Sequence, residues 1–211
     1  MCLQYPDRMR DTPGTRPPGF DPSQDILLDP RRLRGLAHPL RLRLRGELVE
    51  HGPATATQLA HRVGVSSGVT SYHLRQLAAH GFVVEDPDQG QGRERYWRAP
   101  HRATYLDGSL IATEHEASAA YLRAVARMHA ERVIRFADTV DAPQGPGSGW
   151  SDGFDLSDYI LTLAPEQATD LARRLHEVCR SFREVPAAGP QARHVVVQFQ
   201  VMALPPPADA P

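Results

Sequence analysis

The sequence predicts an α+β fold, and three observations carry that expectation. Between residues 30 and 79 apolar side chains recur at steps of three and four, the period of helices with one buried face. Residues 82–97 then hold two short strand-like runs separated by the turn-rich stretch DPDQGQG. Residues 111–140 return to helical spacing over a long span, before a Pro/Gly-rich break and a final apolar region.

Composition narrows the function classes. The chain has 211 residues, 41% hydrophobic and 23% charged, enough to bury a core and unlike a disordered or fibrous polymer. No apolar run approaches the ~20 residues that span a bilayer, so a membrane partner is not expected. The first twenty residues hold no apolar leader segment, so secretion is not expected. Cys2 and Cys179 are too few for a disulfide framework or a zinc knuckle. All 24 basic residues are arginine, and they nearly balance the 25 acids to leave a net charge of −1. The total hides an asymmetry. Residues 30–103 carry twelve Arg against six acids, a surplus of +6, whereas residues 1–29 stand at −2 and residues 104–211 at −5. A basic middle segment between acidic flanks is the pattern of a region that meets a polyanion.

Each element follows from local chemistry. Residues 1–29, rich in Pro, Gly and Asp, read as a flexible tail. Leu33, Leu36, Ala37, Leu40, Leu44 and Leu48 form a buried stripe, but Pro39 belongs in a first helical turn, so one helix ends near His38 and another starts at Pro39. Gly52-Pro53 ends the second. Thr55, followed three residues later by Gln58, makes a capping box for a short helix that Gly64 closes. Ser66 or Ser67 caps the next helix, about Ser67–Ala79. In it Val69, Leu74, Leu77 and Ala78 form the expected inner stripe and Ser67, Thr70, Ser71, Tyr72, Arg75 and Gln76 face outward. Gly81 stops it. Phe82 to Glu85 and Arg93 to Trp97 alternate as two strands of a hairpin, with Trp97 expected in the core. A small residue at Ala60, a turn at Gly64 and a second helix make a helix-turn-helix, and the charged hairpin after it makes a wing over about residues 85–97.

The runs LAHPLRLRLRGELVEHG, TATQLAHRVGVSSGVTSYHLRQLAAHGFVVE and GRERYWR together resemble the winged-helix repressors of the ArsR/SmtB family over residues 30–103, about a third of the chain. The resemblance implies a homodimeric, cytoplasmic transcriptional regulator, usually a repressor, whose Ser67–Ala79 helix enters the major groove of double-stranded DNA at a palindromic operator. It does not extend to metal sensing. No paired cysteines occupy Gln58 to Gly64, and Glu114, His115, Glu116, His129 and Glu131 lack the spacing of the family's acid/His site, so no metal or cofactor is expected.

The residues expected at DNA are Ser66, Ser67, Thr70, Ser71, Tyr72, His73, Arg75 and Gln76 on the groove helix, and Arg93 and Arg95 on the wing. Arginine can grip guanine, and glutamine can pair with the adenine edge. His73 either touches phosphate or sits against the helix junction. Arg93 and Arg95 either lie along DNA or pair with Glu85 or Asp86 across the hairpin.

The rest of the chain reads as accessory. Residues 104–141 form a long helix whose stripe Leu122, Val125, Ala126, His129, Val133 and Phe136 exceeds what one small domain needs, and is the expected homodimer interface. Residues 142–157 are a linker, and residues 205–211 a tail. Residues 158–204 form a strand-helix-strand region that adds dimer surface or binds a small-molecule effector of unnamed class. In it Leu161, Leu163, Val195, Val197, Phe199 and Val201 line a sheet face, covered by Leu171, Ala172, Leu175 and Val178, with Cys179 a small buried thiol. About a hundred residues follow the wing without a glycine-rich loop after a strand, so a catalytic site is not expected. The competing reading of the same motif is a winged-helix protein-interaction module that binds no DNA.

Overall fold

The computed structural model describes residues 20–87, 89, 94–140, 150, 153–183, 185–186 and 192–204. Its contacts divide into two units, one of residues 20–138 and one of the residues after them. Among the described residues there are seven helices and two small sheets.

The first unit begins with strand β1 (Asp25–Leu28), which corrects the reading of residues 1–29 as a tail. Ile26 and Leu28 are buried, and β1 lies parallel to β5 (Ala103–Leu106) with Asp25 opposite Ala103 and Leu28 opposite Leu106. Residues 1–19, with Cys2, lie outside the described residues. Helix α1 (Pro30–Leu36) is capped by Asp29, whose side chain accepts from the Arg32 N–H at 2.7 Å. Helix α2 (Pro39–His51) starts at Pro39, where a missing N–H costs nothing, and the His38 ring accepts from the Leu40 N–H. Strand β2 (Ala54–Thr55) leads into α3 (Ala56–Val63), whose N-terminus carries both bonds of the Thr55/Gln58 capping box. Helix α4 (Ser67–Ala79) follows, then β3 (Val84–Glu85) and β4 (Tyr96–Arg98). The last two pair antiparallel, and β4 also pairs with β2, giving the order β2-β4-β3. Trp97 on β4 is buried, as its place in the alternation requires.

Leu33, Leu36, Leu44, Leu59, Leu74, Leu77 and Phe82 meet in one fully buried core. Burying a leucine is worth about 1.5–3 kcal/mol, so this cluster fixes how α1 to α4 pack. A charged residue runs through its edge. Arg45 on α2 is buried and donates to the His101 carbonyl at 2.9 Å, and desolvation pulls its guanidinium down to about 10, still protonated at neutral pH.

The long helix expected over residues 104–141 is not continuous: its first residues belong to strand β5, and two helices follow, α5 (Gly108–Thr113) and α6 (His115–Ala137), broken at Glu114. Ser118 bridges the break by donating to the Leu110 carbonyl at 3.0 Å. Helix α6 is about 35 Å long. It buries Ser118, Tyr121 and Ala124 against α1 and α2, and Arg132 and Arg135 pair with Glu50 and Glu47 on α2.

In the second unit the expected strand-helix-strand is only partly present. Helix α7 (Pro165–Arg183) forms, but the flanking stretches 154–164 and 192–204 carry no strand, and α7 buries none of its residues. Cys179 is half-buried rather than enclosed. Most of residues 142–157 and all of 205–211 lie outside the described residues.

Candidate nucleic-acid interface

The site is built on the turn between α3 and α4. At its centre Gly64 takes φ 74° and ψ 35°, a left-handed conformation that a side chain would strain, and the Gly64 and Val65 N–H groups both donate to the Ala60 carbonyl. The chain reverses within two residues, and the Ser66 hydroxyl accepts from the Val69 N–H to start α4. At its far end Gly81, at φ 78°, closes α4 with Phe82 and Gly81 donating to the Leu77 and Ala78 carbonyls. Arginines finish the helix ends: Arg43 donates to the Val63 carbonyl and Arg31 to the Ala79 carbonyl. Part of the basic surplus therefore holds helix C-termini, where cations suit the dipole.

Helix α4 packs on α1, α2 and α3. Its inner stripe is Thr70, His73, Leu74 and Leu77, all buried. This corrects the outward placement of Thr70, which is 0% exposed and donates from its hydroxyl to the Ser66 carbonyl. It also corrects the inward placement of Val69, which is 43% exposed. Ser66, Ser67, Tyr72 and Arg75 stand on the exposed face, and Ser71 and Gln76 on its margins. Arg75 lies back along the helix, its Nε donating to the Ser71 carbonyl at 3.2 Å.

His73 is buried and sits at the helix junction. Its ring lies 4.6 Å from that of His38 and edge-on to Tyr72, with Nδ1 buried and unpartnered. Burial first, then the nearby His38 and Arg41, holds the His73 imidazole below the ordinary histidine value. His38 is lowered by burial and Arg41. His80 is lowered by burial, Arg31 and Arg41, with Asp29 opposing.

On the hairpin, Arg95, just before β4, forms an exposed pair with Glu85 of β3 at 3.0 Å. Such a pair is worth about 0–1 kcal/mol and yields readily to a phosphate. Arg93 lies outside the described residues. On α6 the expected interface residues separate: Val125 packs against the chain's own core, Leu122 and Val133 are exposed, and His129 and Phe136 are half-buried. Among the described residues no group of three His, Cys, Asp or Glu is placed to hold a metal, and no helix is long and apolar enough to cross a membrane.

Sequence reasoning missed Val69 and His38. The signal for Val69 is in the spacing: residues 70, 73, 74 and 77 keep the i, i+3, i+4, i+7 pattern, and residue 69 falls at the edge of that stripe, roughly 90° from its centre.

Residues 36–86 match the family model of a helix-turn-helix domain. The matched stretch runs from the end of α1 through β3 and is about a quarter of the chain. No curated protein matches the chain. A helix-turn-helix domain at this place points to a DNA-binding regulator.

Proposed function

We propose that the chain is a sequence-specific DNA-binding transcriptional regulator, acting as a homodimer, with α4 in the major groove and the β3–β4 hairpin as a wing on the backbone or in the minor groove. The observation that carries this reading is the outward face of α4. Ser67, Ser71, Tyr72, Arg75 and Gln76 lie on the exposed side or margins of a helix whose inner stripe is locked by the core. A rigid helix presenting short polar groups, one guanidinium and one amide suits base edges in the groove. The +6 surplus of residues 30–103 supports a polyanion partner. The resemblance to the ArsR/SmtB repressors favours repression and a cytoplasmic place of action.

The homodimer rests on α6. Leu122 and Val133 are exposed, with Ala126 and Ala130 between them at helical steps. Pairing that stripe with a second copy about a two-fold axis would set two α4 helices for half-sites ~34–36 Å apart. The test is a pair of substitutions on a measured DNA site. Arg75→Ala is expected to cost about 1–3 kcal/mol at particular base pairs. Arg95→Ala is expected to weaken binding on every sequence and to flatten the log–log salt slope by about one. Binding indifferent to both substitutions and to salt would instead make this domain a protein-interaction module.

A further inference from the structure

Helix α4 leaves two large side chains with apolar surface in solvent, Val69 at 43% and Tyr72 at 52% exposure, while Leu74 and Leu77 are fully buried. Three residues apart, they lie on one face of the helix. Val69 is the third residue of α4, in the first turn after the Ser66 cap. That turn is the part of a groove helix that meets base edges. A β-branched residue is a modest helix former, and Val69 is not among the side chains of the core or those packed against it. Two side chains are also too small a patch to seat a protein partner. The major groove supplies one apolar feature of matching size, the C5-methyl group of thymine, where cytosine offers only a C–H and the other readable groups are hydrogen-bond donors and acceptors.

We infer that Val69, flanked by Tyr72, makes an apolar contact with the C5-methyl of a thymine, so that an A·T pair is required opposite the first turn of α4. The inference rests on the DNA-binding reading and adds the base it selects. Charge agrees with this occupant, because the patch sits within the segment of +6 surplus.

The experiment starts from sequences that the full chain enriches from a random DNA pool. Each thymine of the enriched site is replaced in turn by deoxyuridine, which removes the methyl and nothing else. Wild type is expected to lose about fourfold in affinity at one thymine of each half-site, the worth of one buried methyl group. With Val69→Ser that penalty should vanish at the same position, while Val69→Ile should keep it. Because Val69 is exposed, both variants should melt with the wild type. Enriched sites that show no deoxyuridine penalty, or a penalty that persists undiminished in Val69→Ser, would overturn the inference and leave DNA binding standing. A pool with no enriched sequence would overturn both.

Discussion

Helices α4 and α7 are both amphipathic, yet only one is seated. On α4, Thr70, Leu74 and Leu77 are fully buried against three other helices. On α7, 19 residues long, no side chain is buried, and Val178 and Phe182 are exposed. What organises α7 is its own surface charge: Asp170 pairs with Arg173 and Arg174, and Arg173 with Glu177. Such pairs are worth about 0.3–0.5 kcal/mol each, well short of a core leucine. The His176 ring does meet Phe199 edge-on at 4.9 Å, but the stretch bearing Phe199 carries no strand. Helical spacing thus says which face is apolar. It does not say whether a partner covers it.

The largest test of that contrast is a matched pair of truncations. Leu77→Ala should destabilise the chain by about 2–5 kcal/mol, because it empties a fully buried site. Val178→Ala on α7, at an exposed position, should change stability by no more than about 0.5 kcal/mol. Urea melts of both variants check this, and equal losses would mean that α7 is seated after all.

Next in size is a test of how tightly the helices beneath α4 meet. A β-carbon on Gly35 of α1 would overlap the His80 ring at the end of α4. Gly35→Ala should therefore cost about 1–3 kcal/mol, against a helix-propensity gain of about 1 kcal/mol. Adding His80→Ala should recover most of the loss, and thermal melts of the single and double variants would show it.

Thr55→Ala, which removes the capping box of α3, should cost about 1 kcal/mol in the same melts.

A smaller effect is expected from pH. His38, His73 and His80 are all held below the ordinary value of 6.5, chiefly by burial. The unfolded chain therefore binds their protons more readily than the folded one. Their contribution is complete above about pH 6.5 and is lost as pH falls through the depressed values. Melting temperature should drop between about pH 7.5 and pH 5.5, and His73→Gln should flatten that slope.

The helix ends were legible because their chemistry is local. Pro39, the Thr55/Gln58 box, Gly64 and Gly81 each act within a few residues, and each sits where the sequence puts it. Long-range pairing was not legible. Nothing near Asp25–Leu28 announces a parallel partner at Ala103–Leu106, so a strand read as tail. Within α4, hydrophobicity argued for burying Val69, whereas spacing argued for Thr70. Packing sided with spacing, because a threonine whose hydroxyl donates to the Ser66 carbonyl can be buried with that hydroxyl satisfied. The break at Glu114 was hidden by continuous helix-forming composition on both sides. In the C-terminal unit, alternation from His194 to Leu204 matches a strand, but a strand also needs a neighbour to pair with, and among the described residues this stretch carries no strand.

The role proposed for the exposed face of α4 is to read DNA. Its most direct test is to incubate the full chain with a pool of random double-stranded DNA, recover the bound fraction over several rounds and sequence it. A single enriched, two-fold symmetric motif whose half-sites lie about one helical turn apart is the predicted result, with affinity falling steeply as salt rises. A recovered pool no different from the input would contradict it.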